Sequence, residues 1–145
     1  MSQSQPSDER GVAPRDKISG NNNETGMKIP GPDRPIAIAA NPKRVRVIFA
    51  GQTIADTGHA LTLKEASYPA VQYIPRADVV MDLLKPTTHT SHCPYKGDAS
   101  YFTIAVGAKT AENAVWSYEK PFPAMADIAG YLAFYPNRVD SIEEV

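Results

Sequence analysis

Every aromatic residue of the chain, one Trp, seven Tyr and four Phe, lies at or beyond Phe49. A chain can build a core only where it has large apolar side chains to bury, so this distribution places the folded unit in the C-terminal two-thirds. Upstream, residues 1–35 hold six apolar residues against four glycines, five prolines and Asn21-Asn22-Asn23. Such a stretch buries too little to offset its own ordering entropy. Residues 1–26 read as a disordered tail. Residues 27–42, with Pro30, Pro32 and Pro35, read as an extended strap or linker. Residues 43–140 read as one domain of ordinary size.

Within that domain the apolar residues come in short bursts. No apolar run exceeds five residues (36–40 and 131–135), too short to span a membrane as a helix. The bursts alternate. In KRVRVIFA, residues 43–50, Val45, Val47 and Phe49 share one face. In ASYFTIAV, residues 99–106, Phe102, Ile104 and Val106 oppose Tyr101 and Thr103. Period two is the signature of a strand. Further strands are expected at 53–56 and 60–63 around Thr57-Gly58-His59, and at 71–74 between Pro69 and Pro75. Two more are expected at 113–118, after a Gly107 hairpin, and at 133–135. Short helices are expected at 76–84 and 125–132, and the polar stretch 85–98, KPTTHTSHCPYKGD, reads as a loop. The fold class is therefore mainly β, with antiparallel sheets as a sandwich or half-open barrel and one or two short helices.

Charge narrows the partners. Fifteen Lys and Arg against sixteen Asp and Glu give a formal net charge of −1 over 145 residues. That balance argues against a nucleic-acid or anionic-membrane partner. The N-terminus has no apolar leader pattern, so a cytoplasmic location is expected. The single cysteine, Cys93, excludes an intrachain disulfide and a multi-cysteine zinc site, and no metal or cofactor is expected.

Reactive side chains concentrate at 89–98: His89, His92, Cys93, Tyr95, Lys96 and Asp98. Cys93, Lys96 and Asp98 are the candidate catalytic residues, since a thiol beside cations is the pattern of an activated nucleophile. The competing reading is a buried structural thiol. Lys96-Gly97 offers a cation and backbone N–H groups to an anion, or is a plain turn; no G-x-x-x-x-G-K-[ST] or G-x-G-x-x-G motif is present. Trp116 and Tyr118 share one face of their strand and line either an apolar cleft or the core. Arg76, Lys96 and Trp116, with Asp98 orienting one cation, would suit an anionic ligand with a planar body. In the alternative, Trp116 is core, Arg76 pairs with Asp78 and Lys96 is solvated.

The stretches YPAVQYIPRADV, HCPYKGDASYFTI, ENAVWSYEKPFPAM and IAGYLAFYPNRVD, preceded by KIPGPDRPI, resemble the family catalogued as domain of unknown function 427. The resemblance covers about residues 27–140. It implies a compact β structure of the Mss4-like, or β-tent, type, in which two sheets lean together at one edge. Relatives of that fold carry cysteine-bound zinc, a pattern that Cys93 alone cannot supply. The family's nucleotidyltransferase-like label implies a transferase acting on a phosphate-bearing substrate. The matching positions nominated for a site are Arg76, Asp78, Thr90, Cys93, Lys96, Asp98, Trp116 and Tyr118. The leading expectation is a small-molecule-binding domain with an anionic-ligand site between the 85–98 stretch and the Trp116 strand. The alternatives are that transferase, or a non-catalytic module binding protein through a sheet edge.

Overall fold

The computed structural model describes residues 27–145; the tail expected at 1–26 lies outside the described residues. The strands are β1 (Ile36–Ala40), β2 (Val45–Phe49), β3 (Gln52–Thr57), β4 (Leu61–Glu65), β5 (Val71–Tyr73), β6 (Leu84–Cys93), β7 (Gly97–Val106), β8 (Lys109–Ser117), β9 (Leu132–Phe134) and β10 (Ser141–Glu144). They form sheets of order β1-β4-β5, β10-β2-β3 and β6-β7-β8-β9, and every pairing is antiparallel. Ile74 and Leu132 exchange two backbone hydrogen bonds of 2.8 Å, which tie the end of β5 to β9. The β1-β4-β5 sheet therefore continues, through this single bridge, into the four-stranded one.

Alternation along the four-stranded sheet builds two cores. Phe102, Ile104, Val115, Leu132 and Phe134 pack with Val45, Val47, Phe49 and Ile54 of β2 and β3. Tyr101, Trp116, Tyr118 and Ala133 point the other way and pack with Leu63, Val71 and Tyr73 of β4 and β5. Each face of the sheet thus has its own apolar partner, and apolar burial on both faces is the main stabilising term.

Several expectations change. The strap is a paired strand: β1 runs along β4 from Ile36↔Glu65 to Ala40↔Leu61. The strands around Thr57-Gly58-His59 form, but they separate, β3 pairing with β2 and β4 with β1 and β5. The stretch read as a loop at 85–98 is mostly β6, which pairs with β7 from Leu84↔Ile104 to Cys93↔Gly97 around an irregular stretch between Pro86 and Thr90. An edge strand with one wet side needs no apolar alternation, and its threonines favour extended backbone. The two expected helices are only 3₁₀ turns, Arg76–Asp78 with Met81–Leu83, and Pro123–Ile128. Val79 interrupts the first pair by bridging Ala55, as a β-branched residue readily does. β10 lies beyond the domain end drawn at 140 and pairs with β2 through Ile142↔Val47. No helix among the described residues is long and apolar enough to cross a membrane.

Candidate functional site

Glu65 ends β4 in phase with Leu61 and Leu63, so its carboxylate is carried inward, where it is 1% exposed. Two cations meet it there. Lys96 Nζ donates to Oε1 at 2.7 Å, and Arg34 donates to Oε2 through Nε at 3.0 Å and Nη2 at 2.8 Å. The Arg34 guanidinium also lies 5.2 Å from the ring centroid of Tyr68 and 5.4 Å from that of Tyr95. Lys96 reaches Glu65 because a tight turn, Lys96 N–H to Cys93 C=O at 3.2 Å, folds its side chain back into the core. On the way its Nζ donates to Cys93 Sγ at 3.7 Å. Gly97 follows with φ of 113°, a conformation that favours glycine, and enters β7.

Burial alone pushes the Lys96 ammonium down. Cys93, Glu65 and Tyr73 push it up by more, so it holds its proton above the ordinary lysine value of 10.5. Burial also pushes the phenols of Tyr73 and Tyr118 above their ordinary 10.0. All three groups keep protons in the fold that the unfolded chain releases. Their contribution to stability is therefore fully present below about pH 10 and is lost as pH rises past it. In an alkaline titration, Tyr73 and Tyr118 should ionise only as the fold is lost. Reversible ionisation of all seven tyrosines in the folded protein would contradict this.

The structure brings some nominated residues together and leaves others apart. Cys93, Lys96, Trp116 and Tyr118 share the buried cluster around Tyr73, whose hydroxyl accepts from Trp116 Nε1 at 3.2 Å. Lys96 is thus neither solvated nor open to a ligand, because Glu65 holds it. Arg76 lies outside this cluster. It pairs with Glu119 through two contacts of 3.1 and 3.0 Å, donates to Gly130 C=O at 2.9 Å and covers Phe102 of the other core. Asp78 does not pair with Arg76; its carboxylate accepts from Thr57 Oγ1 at 2.6 Å. Asp98 is exposed and faces His92 Nδ1 at 2.7 Å. Thr90 is exposed on β6 opposite Ser100. Among the described residues, no three His, Cys, Asp or Glu are placed to hold a metal.

A separate cleft opens on the Tyr101 and Tyr135 side of the four-stranded sheet. It has a volume of about 230 Å³ and is lined by His89, Tyr101, Asn113, Tyr135, Asn137 and Arg138. Tyr101 is fixed by Ser91, whose Oγ lies 2.8 Å from its hydroxyl, and its ring meets His89 at 4.4 Å. Tyr135 packs against Trp116, its ring tilted by 50° with centroids 4.6 Å apart. Asn113 sits at φ 52°, where asparagine is tolerated better than most residues, and its Oδ1 accepts from Thr87 Oγ1 at 2.7 Å. That leaves the amide N–H groups as donors. Arg138 is exposed, with no carboxylate partner among the described residues. Of these six, Asn113, Tyr135, Asn137 and Arg138 were not legible as site residues. An asparagine inside a strand sequence was the signal available, because that residue is depleted there.

Fold and cleft together define a mainly antiparallel β domain with a half-open, cation-bearing cleft. Residues 37–145 match the family described as Domain of unknown function (DUF427), and the chain belongs to that family. No curated protein matches the chain.

Proposed function

We propose that this domain binds a small anionic molecule with a planar body in the cleft between β6 and β8. The observation that supports this most is the lining itself: Arg138, His89 and the Asn113 amide surround two tyrosine rings, and no carboxylate is among them. An anion there gains charge-assisted hydrogen bonds, while the rings stack against its body. The volume fits a molecule smaller than a typical drug. None of the positions nominated from the sequence lines this cleft. No carboxylate lines the cleft to hold a metal ion, so the reading stops at binding. The single bridge between the sheets at Ile74 and Leu132 is compatible with a β-tent, and that arrangement is part of the proposal.

The test is a titration of the full chain with inorganic phosphate, a nucleoside monophosphate and an aromatic carboxylate, followed by amide chemical shifts. Saturable shifts at His89, Asn113 and Arg138 are expected with at least one of them. Arg138→Ala should weaken that binding about tenfold with an unchanged melting temperature, on the scale of one charge-assisted hydrogen bond. Absence of saturable shifts with all three at millimolar concentration, or undiminished binding by the variant, would count against the site.

A further inference from the structure

Cys93 is the chain's one thiol, and it lies half-buried where β6 ends. Three observations make its surroundings unusual. First, Lys96 Nζ donates to its sulfur at 3.7 Å from a position that is 1% exposed. Second, among the described residues the cluster behind it holds two cations, Lys96 and Arg34, against one carboxylate, Glu65. Third, the Tyr118 hydroxyl is completely buried and has no hydrogen-bond partner among the described residues.

The sheet register puts Tyr118 and Cys93 on the same face of the sheet. Ser100 pairs with Ser117, which sets Tyr118 beside Ala99, while Cys93 pairs with Gly97. Gly97 has no side chain and Ala99 only a methyl group. Nothing bulky on β7 therefore stands between the phenol and the sulfur. Both groups pack in the same cluster. A buried hydroxyl without a partner carries an uncompensated desolvation cost, which an oxygen atom placed beside it would offset.

We propose that Cys93 is an oxidation site for peroxide, and that Tyr118 and Lys96 are positioning residues for the oxygen it gains. The sulfur, as thiolate, attacks one peroxide oxygen. An S–O bond forms and the O–O bond breaks. Sulfur is oxidised by two electrons, and the peroxide is reduced by two. The proton lost by the thiol ends on the departing hydroxide, so thiol plus hydrogen peroxide gives sulfenic acid plus water. Lys96 places a positive charge at the attacking sulfur. The new oxygen accepts from the Tyr118 hydroxyl, which thereby gains its missing partner. With no second cysteine in the chain, the sulfenic acid cannot close an intrachain disulfide. It persists until an external thiol condenses with it, releasing water and leaving a mixed disulfide.

The experiment exposes the full chain to hydrogen peroxide and follows intact mass, with a sulfenic-acid-specific dione as trap. Wild type should add one oxygen atom, trappable by the dione, at least tenfold faster than the same chain held unfolded in denaturant. Cys93→Ser should add none at that rate. Tyr118→Phe removes only an unpartnered hydroxyl, so its unfolding midpoint should match or exceed that of wild type. Its sulfenic acid should nevertheless pass on to higher oxides about tenfold faster. A folded wild type that reacts no faster than the unfolded chain would overturn the proposal. So would a Tyr118→Phe variant whose sulfenic acid lasts as long as that of wild type.

Discussion

Glu65→Ala is expected to destabilise the fold by about 3–5 kcal/mol, the range found when one partner is removed from a buried ion pair. The loss is not that of a contact alone. Without the carboxylate, the Lys96 ammonium stays 1% exposed beside Arg34, with the nearest opposite charge gone. For a domain of this length, that corresponds to a melting-temperature drop of about 10–20 °C. Lys96→Met should cost less, because Glu65 keeps its two contacts with Arg34. The double variant Glu65→Leu with Lys96→Met should be more stable than Glu65→Ala, since apolar replacement removes both desolvation penalties. Thermal unfolding of the three variants checks the order. A Glu65→Ala protein within about 1 kcal/mol of wild type, the scale of an exposed pair, would show that the cluster is hydrated rather than buried.

Why Glu65 was passed over bears on what this sequence makes legible. LTLKE carries Leu61, Leu63 and Glu65 in one phase, so the burial of position 65 follows from the alternation. Its partners do not follow. Arg34 and Lys96 each lie 31 residues away along the chain, and no local rule pairs them with Glu65. The same division runs through the fold. Strands such as β2 and β7 were legible because one face is apolar at period two, and the Gly107 hairpin because turn chemistry is local. β6 was not, because a polar edge strand takes its geometry from its neighbour rather than its own pattern. Trp116 and Tyr118 were placed on one face correctly, and the structure puts that face in the core. The cleft needs His89, Asn113 and Arg138 from three separate segments, a convergence set by the β6-β7-β8-β9 order and not by any spacing.

The same reasoning yields the second large effect. Trp116→Ala should cost about 3–5 kcal/mol, the range for deleting a large buried aromatic. The indole is 1% exposed, meets the Tyr73 ring edge-on at 6.4 Å and lies against Tyr135 at 4.6 Å. Its removal leaves a cavity that the paired strands on either side cannot collapse to fill. It also takes the Nε1 donor from the Tyr73 hydroxyl at 3.2 Å. Trp116→Phe should recover more than half of the loss, because the ring contacts matter more than that single hydrogen bond. As Trp116 is the chain's one tryptophan, far-UV circular dichroism in denaturant is the measurement common to wild type and variants. The substitution also reaches the cleft. Tyr135 loses the ring it packs against, so the alanine variant should bind the anion more weakly than Trp116→Phe even at temperatures where both remain folded. Equal unfolding midpoints for wild type and Trp116→Ala would refute the packing argument. Equal affinities for the two variants would separate the cleft from the core behind it.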